Sequence, residues 1–172
     1  MEIGSKEILL DDARVVAFRP VNAEDEQFLI EVYGSTRAEE LALTNWDRPQ
    51  REAFLRMQFS AQQAHYREHY PGGDHLLILV DAYGAGRLYV AEIEKEVRIL
   101  DITVLPQHRN GGIGTPIIRE LMAEAAALGK PLRIYVESFN PSLGFFERLG
   151  FVRSAESGHS YLMEWRRENP GA

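Results

Sequence analysis

The run of residues 106–116, Pro-Gln-His-Arg-Asn-Gly-Gly-Ile-Gly-Thr-Pro, has residue types and a spacing that suit the binding of an anion. It follows an apolar, strand-like segment over residues 97–105 and opens an amphipathic helix. A glycine-rich turn from strand to helix leaves several backbone N–H groups without a helical partner, at the positive end of the helix dipole. Because glycine has no Cβ, a phosphate can approach those amides closely. The run therefore predicts a phosphate-binding loop.

A carboxylate just before this loop is a candidate for acid–base chemistry. Asp101 stands within the apolar strand, and a carboxylate buried there is costly unless it is paired or functional. Strand alternation predicts that Asp101 and Thr103 share one face, whereas Leu100 belongs to the other. The alternative is that Asp101 faces solvent or pairs with an arginine of a neighbouring strand, such as Arg98 or Arg133.

The rest of the chain must supply the elements that position these residues. Short segments rich in Val, Ile and Leu predict strands over residues 15–18, 75–81, 86–92, 97–104, 132–136, 151–154 and 160–165. Apolar periodicity and capping residues predict helices over residues 23–33, 37–43, 47–70, 117–128 and 140–149. No repeat or linker interrupts the 172 residues, so we expect one domain.

The order of these elements predicts an α/β fold with a mixed, mostly antiparallel sheet and helices on both faces. Residues 75–104 are expected to form a meander with turns at residues 82–85 and 94–96, and residues 151–165 a closing hairpin. The strand–helix–strand unit over residues 97–136 is expected to make a right-handed crossover. A ligand of such a unit binds beyond the carboxyl end of its first strand.

Composition excludes several classes of protein. The formal net charge is -7 without a long block of like charges, so a nucleic-acid partner is not expected. The chain has no cysteine, which excludes a disulfide framework, a thiol nucleophile and a thiolate metal site. Residues 1–12 lack the pattern of a signal peptide, and no apolar run reaches membrane-spanning length. We therefore expect a cytoplasmic protein without a membrane partner.

Three features, in this order, resemble the GNAT superfamily of N-acetyltransferases. Residues 109–114 fit that family's Arg/Gln-x-x-Gly-x-Gly/Ala loop, and Asn140-Pro141-Ser142 opens the helix after the next strand. Residues 146–151, Phe-Glu-Arg-Leu-Gly-Phe, are similar to the family's aromatic-Glu-Arg-Leu-Gly-Phe segment. The resemblance is specific over residues 76–165. It implies direct transfer of an acetyl group from acetyl-coenzyme A to an amine of a small molecule or protein, with no metal or redox cofactor.

The resemblance also implies where the coenzyme binds. Its pyrophosphate would lie over the amides of the glycine loop, and its pantetheine arm would enter between two strands that separate. The residues implied in coenzyme binding are Val104, Leu105, Arg109, Gly111, Gly112, Ile113, Gly114, Thr115, Asn140 and Phe146. The alternatives are that the loop only connects two elements, that Asn140 only caps its helix, and that Phe146 belongs to the core.

The catalytic groups are less well defined by the resemblance. Candidates for the general base are Asp101, Glu92 and Glu137. The family often has a tyrosine, which protonates the leaving sulfur, where this chain has Phe146. Tyr135 and Tyr161 are candidate replacements, and a thiol with a pKa of roughly 8.5 also leaves as a thiolate without a side-chain acid.

The early helices usually form the acceptor site in the family, which makes several side chains candidates for binding the amine. They are Trp46, Gln58, Gln62 and His65. Gln58, Gln62 and His65 are spaced to share one face of a helix. The alternative for these residues is an ordinary solvated helix face.

Two other functions remain open from the sequence. Residues 65–69 match the His-x-x-Glu-His pattern of a class of zinc proteases and place both imidazoles on one helix face, although Pro71 and Gly72 end this helix immediately afterwards. Because Phe146 lacks a hydroxyl and the base is undecided, a non-catalytic sensor or interaction module that binds acyl-coenzyme A is the alternative to an enzyme. Dimers are common in the family, so a homodimer is a further state that the resemblance allows.

Overall fold

A computed structural model describes residues 1–168 and contains one eight-stranded sheet in the order β1-β2-β3-β4-β5-β6-β8-β7. The strands are β1 (Glu7–Leu9), β2 (Val15–Pro20), β3 (Asp74–Val80), β4 (Tyr83–Ile93), β5 (Glu96–Val104), β6 (Leu132–Glu137), β7 (Val152–Ser157) and β8 (Ser160–Trp165). Neighbouring strands are antiparallel except β5 and β6, which are parallel. The predicted mixed, mostly antiparallel sheet is therefore confirmed.

Five α-helices accompany the sheet within these residues. They are α1 (Glu26–Ser35), α2 (Ala38–Ala42), α3 (Arg48–His69), α4 (Gly114–Ala127) and α5 (Ser142–Arg148). A capping box starts α3, because the side chain of Asp47 accepts a bond from the Gln50 amide and that of Gln50 accepts one from the Asp47 amide. The sequence analysis missed the three-residue strand β1. It also assigned residues 83–85 to a turn, whereas Asp81 and Ala82 alone make the turn between β3 and β4.

The two faces of the sheet carry separate apolar clusters, as expected for helices on both sides. One face packs against α4 and α5, with Leu88, Ile117 and Leu121 fully buried. The other face packs against α1 and α3 through residues such as Leu29 and Phe59. Burial of these side chains fixes the helices to the sheet, since apolar area removed from water contributes about 25 cal/mol per Å².

A bulge in β5 breaks the alternation of side chains between the faces. Tyr89 of β4 lies opposite Asp101, but the next residue, Val90, lies opposite Ile99, so Leu100 is an extra residue without a partner. The prediction that Leu100 simply alternates with Asp101 is therefore wrong at this residue. A bulge increases the local twist and bends its strand, which makes it the natural place for β5 to turn away from β6.

Gly86 lies where β4 passes closest to β5. A Cβ at this position would stand 2.1 Å from the carbonyl oxygen of Thr103. No other residue type fits there unless the two strands separate, so glycine is required by the close approach of the backbones.

None of the helices in residues 1–168 is long and apolar enough to cross a membrane.

A histidine is stacked beneath α3 at the pairing of β3 and β4. His75 lies opposite Tyr89, and the two rings stack with their centroids 4.4 Å apart and an interplanar angle of 13°. Burial, with smaller contributions from the nearby guanidinium groups of Arg87 and Arg67, lowers the pKa of His75 to about 3. The imidazole is therefore neutral in the folded protein at any pH where the protein would be assayed.

The neutral imidazole makes stability depend on pH. An unfolded histidine has a pKa of about 6.5, so between that pH and about 3 the unfolded chain binds a proton that the folded chain does not. The free energy of unfolding should therefore fall as the pH falls through this window. Between pH 7 and pH 5, we expect the wild type to lose about 1 to 2 kcal/mol more than His75→Phe, which keeps the stack. Urea unfolding at both pH values measures this, and equal losses would contradict it.

Candidate functional site

β5 and β6 lie side by side only at their beginnings, and a gap opens between them beyond that point. Their pairing runs from Val97 and Leu132 to Ile99 and Ile134. The bulged residue Leu100 follows immediately, and the remaining parts of β5 and β6 do not pair with each other. This gap is the separation of strands that the family resemblance implied.

Tyr66 of α3 satisfies the carbonyl that the bulge frees. Its hydroxyl donates to the carbonyl oxygen of Leu100 at 2.9 Å, and its ring meets that of Tyr89 edge-on at 5.1 Å. Burial raises the pKa of Tyr66 to about 12, with a smaller contribution from the charge of Asp101, so the hydroxyl stays protonated. The sequence analysis missed Tyr66, because nothing in a helical tyrosine indicates a bulge 34 residues away.

The amides of the glycine loop have no partner within the described part of the protein. The N–H groups of residues 111–115 donate to no acceptor in the described part of the chain. Ile113 is the N-cap of α4 and provides no side-chain cap, and Pro116 has no N–H to contribute. Gly112 has a φ of +74°, and no atom lies within 4 Å of the position that a Cβ would take there. The loop therefore presents a row of unpaired donors at the positive end of a 14-residue helix.

Two guanidinium groups hold this loop in place. Arg109 donates from Nε to the Val104 carbonyl at 2.9 Å, which fixes the loop to the end of β5. Arg14, in the turn between β1 and β2, donates from Nη2 to the carbonyl of Gly111 at 2.6 Å and from Nε to Asp12 at 2.8 Å. Arg109 was expected from the motif, whereas Arg14 was missed, because the β1–β2 turn is 97 residues away in sequence.

Of the two residues predicted at the end of β5, Val104 and Leu105, only Val104 directs its backbone towards the gap. The N–H of Leu105 donates to the Ala85 carbonyl at 2.8 Å, so it is already bonded within the sheet. Backbone groups alternate in direction along an antiparallel strand, so the N–H and carbonyl of Val104 point away from β4 and towards the gap. Val104 is therefore the residue whose amide faces an incoming ligand.

Asp101 is held in place by a buried guanidinium. Arg87, which is 1% exposed, donates from Nε to Asp101 at 2.7 Å and from Nη2 to Gln62 at 2.7 Å. Its guanidinium lies 5.6 Å from the centre of the Phe59 ring. The hydroxyl of Thr103 donates to the other carboxylate oxygen at 3.0 Å. The Asp101 side chain keeps 25% of its surface exposed, so the carboxylate is fixed but accessible.

The arginines expected as alternative partners of Asp101 bind other carboxylates. Arg98 donates from Nε and Nη2 to Glu96 at 3.2 and 2.8 Å, and Arg133 donates to Glu164 at 2.6 Å. Asp101 therefore does pair with an arginine of a neighbouring strand, but the partner is Arg87 and not Arg98 or Arg133. Regular pairing decides this, because Arg87 lies opposite Thr103 and Tyr89 opposite Asp101, which places Arg87 and Asp101 on the same face of the sheet.

The other two candidate bases lie in different places. Glu92 accepts a bond from Lys130 at 2.7 Å, which lowers its pKa, and it pairs with Val97 at the beginning of β5, away from the gap. Glu137 is the last residue of β6 and shares a face with Tyr135. Its carboxylate has no hydrogen-bond partner among residues 1–168. The structure thus brings Asp101 and Glu137, but not Glu92, to the gap.

Two residues implied in coenzyme binding have structural roles. Asn140 accepts a bond from the Ser142 amide at 2.9 Å, which is the helix-capping alternative. Phe146 is 2% exposed and packs edge-on against Phe145 at 5.2 Å, within the core. Phe145 instead lies next to the glycine loop, with its Cζ 3.5 Å from the Cβ position of Gly114.

The candidate acceptor residues are spread along α3. Gln62 contacts Arg87, and Gln58 accepts a bond from the Tyr33 hydroxyl at 2.9 Å. His65 lies further along, near the gap. Trp46 precedes the first turn of the helix, and its ring packs against that of Phe54 with the centroids 5.0 Å apart.

The His-x-x-Glu-His pattern lies on the last turns of α3. The rings of His65 and His69 are 4.2 Å apart between centroids, and His69 Nδ1 is 2.9 Å from the carbonyl oxygen of His65. Among the described residues, no group of three or more potential metal ligands comes together.

Solved structures share this fold. The PaiA N-acetyltransferase from Thermoplasma acidophilum, in complex with coenzyme A, superposes with a TM-score of 0.67 at 19% identity, over 88% of this chain and 99% of that one. PH1933 from Pyrococcus horikoshii OT3 superposes with a TM-score of 0.66 at 15% identity, over 90% of this chain and 99% of that one. The ribosomal-protein-S18-alanine N-acetyltransferase from Escherichia coli superposes with a TM-score of 0.59 at 13% identity, over 91% of this chain and 98% of that one. Identities this low establish the fold alone.

The family follows from the sequence itself. The family model described as the acetyltransferase (GNAT) family matches residues 40–151, which is more than half of the chain. The chain therefore belongs to the GNAT family of acetyltransferases, as the resemblance implied. No curated protein sequence matches it.

The hydrogen bond from Tyr66 to the bulge is open to a direct test. In Tyr66→Phe, the ring packing against Tyr89 is kept, but the Leu100 carbonyl loses its donor. We expect a loss of about 1 to 2 kcal/mol in the free energy of unfolding. The matched control is Tyr83→Phe, because Tyr83 is 76% exposed and should change by less than about 0.5 kcal/mol. Urea unfolding measures both, and equal values would show that the bulge needs no partner.

Proposed function

We propose that this protein is an acetyl-coenzyme A-dependent N-acetyltransferase that acts on an amine of a small molecule or a protein. The observation that carries the proposal is the row of unpaired amides at residues 111–115, placed beside the gap between β5 and β6. The proposal assumes one domain working in the cytoplasm, with no metal or redox cofactor.

The glycine loop suits the pyrophosphate of the coenzyme. A phosphate accepts hydrogen bonds from backbone N–H groups and is favoured by the helix dipole. The open space at Gly112 lets an anion reach the amides, and the charge of Arg14 lies next to them at Gly111. These features support binding by Gly111, Gly112, Ile113, Gly114 and Thr115.

The gap suits the remainder of the coenzyme. A pantetheine arm carries amide groups, and the N–H of Val104 points towards the gap, while the Val104 carbonyl already accepts a bond from Arg109. Phe145 borders the same region through its contact at Gly114. We assign Val104 to the coenzyme on this ground and treat Asn140, Phe146 and Leu105 as structural.

The reaction needs a base on the α3 face of the sheet, where the amine is expected to bind. The amine nitrogen forms a bond to the acetyl carbon while the bond from that carbon to sulfur breaks. The nitrogen loses a proton to a base, and the thiolate takes one from solvent to give the free thiol. We assign the base to Asp101, which Arg87 and Thr103 hold beside the gap with its carboxylate accessible. A fixed carboxylate loses little freedom when the amine arrives.

The leaving sulfur has no tyrosine at the usual position. Phe146 lacks a hydroxyl and is buried in the core, so it cannot donate a proton. A thiolate is stable enough to leave unassisted, since an ordinary thiol has a pKa of roughly 8.5. The proposal therefore assigns no side-chain acid.

A non-catalytic module that binds acyl-coenzyme A is the second candidate. It is favoured by the engagement of Asp101 with Arg87 and by the absence of a hydroxyl on Phe146. A thiol-release assay with purified protein, acetyl-coenzyme A and a panel of amines separates the two. Release that requires an amine supports the enzyme, whereas tight coenzyme binding without release supports the module.

The phosphate-binding loop can be tested with two variants that differ only in charge. Thr115→Glu places a carboxylate at the amides, whereas Thr115→Gln has nearly the same shape. We expect the affinity for coenzyme A to be at least about tenfold lower in Thr115→Glu, since charge repulsion of about 1.4 kcal/mol gives that factor. Calorimetry at about 0.05 M and about 1 M salt measures both affinities. The difference between the two variants should be smaller at high salt, because salt screens the repulsion.

Stability provides the control for this pair. A negative side chain in the first turn of α4 is favoured by the helix dipole, so Thr115→Glu should unfold no more easily than Thr115→Gln. Equal affinities of the two variants would contradict the assignment of the loop. Absence of coenzyme binding by the folded wild type would overturn the proposed function itself.

The base is identified by comparing three amide substitutions. We expect Asp101→Asn to lower kcat by about 10² or more, the usual effect of removing a general base. Glu92→Gln lies away from the gap and should leave kcat unchanged. Steady-state rates across a range of pH, with urea unfolding as a check on folding, measure these effects. A loss of kcat in Glu137→Gln with none in Asp101→Asn would move the base to β6.

A further inference from the structure

A cavity of about 200 Å³ lies on the α3 face of the sheet, where β5 and β6 begin to separate. Its walls come from three elements that the sequence keeps far apart. They include His65, Tyr66 and Tyr70 from the end of α3, Arg98 and Leu100 from β5, and Tyr135 from β6. We call this space the aromatic cavity.

Aromatic rings make up much of the wall, and they are held in place. Tyr66 is fixed by its bond to Leu100 and by its edge-on contact with Tyr89. The ring of Tyr135 is covered on one side by the guanidinium of Arg98, whose carbon lies 5.0 Å from the ring centre. Fixed rings of this kind favour a planar, π-rich group, because aromatic pairs contribute about 0.5 to 1.5 kcal/mol beyond the area they bury.

The charge around the cavity disfavours a polycation. Among residues 1–168, no Asp or Glu lines it. A chain of ion pairs borders the cavity. Glu96 pairs with Arg98 and lies 3.6 Å from Arg133. Glu164 pairs with Arg133 and with Arg166. Three guanidinium groups and two carboxylates therefore meet here, which leaves one positive charge in surplus. This is notable in a protein whose net charge is -7.

The cavity is also directly next to the proposed base. Asp101 follows the lining residue Leu100 in β5, and the charge of Asp101 is close enough to raise the pKa of Tyr66. A ring bound in the cavity would hold an amine on a short chain near Asp101.

We propose that the aromatic cavity binds the ring of the acceptor, which is an amine on a short chain attached to an aromatic ring and bearing no second positive charge. The proposal rests on the proposed acetyltransferase function and adds the class of substrate. It excludes linear polyamines, which offer no ring to the tyrosines and bring further positive charge towards Arg98.

The first experiment measures binding without turnover. Calorimetry on the protein saturated with coenzyme A compares phenethylamine with hexylamine, which has the same charge but no ring, and with spermidine. We expect phenethylamine to bind about tenfold more tightly than hexylamine, since about 1.4 kcal/mol of aromatic contact gives that factor. Spermidine should bind more weakly than either. Equal or stronger binding of hexylamine or spermidine would overturn the proposal.

The second experiment removes one wall of the cavity. Tyr135→Ala is compared with Tyr83→Ala, because both tyrosines are exposed on strands, at 49% and 76%, but only Tyr135 lines the cavity. We expect Tyr135→Ala to lose about tenfold in affinity for phenethylamine and little for hexylamine. Tyr83→Ala should lose neither. Equal losses for both amines, or equal effects of both variants, would contradict a ring in the cavity.

Failure of this proposal can be told apart from failure of the proposed function. If thiol release proceeds with aliphatic amines and Tyr135→Ala makes no difference, the enzyme stands and the aromatic cavity does not bind the acceptor. If no amine causes thiol release, the proposed function fails, and the ring preference measured by calorimetry still decides whether the cavity binds arylalkylamines.

Discussion

The sheet opens at a single backbone irregularity, the extra residue Leu100 in β5, and the candidate site depends on it. A bulge leaves a carbonyl without a ladder partner, and Tyr66 of α3 supplies the donor. Two consequences meet at this point. Pairing with β6 ends after Ile99, and the aromatic cavity forms beneath the separation. One hydrogen bond from a helix thus supports the geometry of both strands.

Charge is distributed around the gap in a way that overall composition conceals. The chain carries seven more negative than positive groups, yet Arg14 and Arg109 lie at the glycine loop, Arg87 is buried behind Asp101, and Arg98 stands at the aromatic cavity. A buried guanidinium is stable only when paired, so Arg87 is as dependent on Asp101 as Asp101 is on Arg87. The net charge describes the outer surface, whereas the site is defined by its local excess of guanidinium groups.

Features that depend on neighbours in sequence could be predicted. The glycine loop, the Asn140 cap and the antiparallel meander all follow from residues a few positions apart, and the motifs indicated the family. Contacts that depend on register could not. The bond between Arg87 and Asp101 spans 14 residues and depends on the register of β4 and β5, and that between Tyr66 and the bulged Leu100 spans 34 residues. Sequence alternation alone assigns the wrong face to Leu100, because it assumes a regular strand.

The contact between Arg14 and Gly111 joins the first hairpin of the chain to the loop that precedes α4. Because Arg14 belongs to the turn between β1 and β2, local opening of that hairpin removes a bond from the loop as well. Opening and anion binding are then linked equilibria, and a ligand that prefers the closed loop also stabilises the hairpin. Amide protons of strands that never touch the ligand would therefore exchange more slowly when it is bound. Amide exchange in β1 and β2, at the edge of the sheet, therefore indicates whether a ligand is bound at the glycine loop.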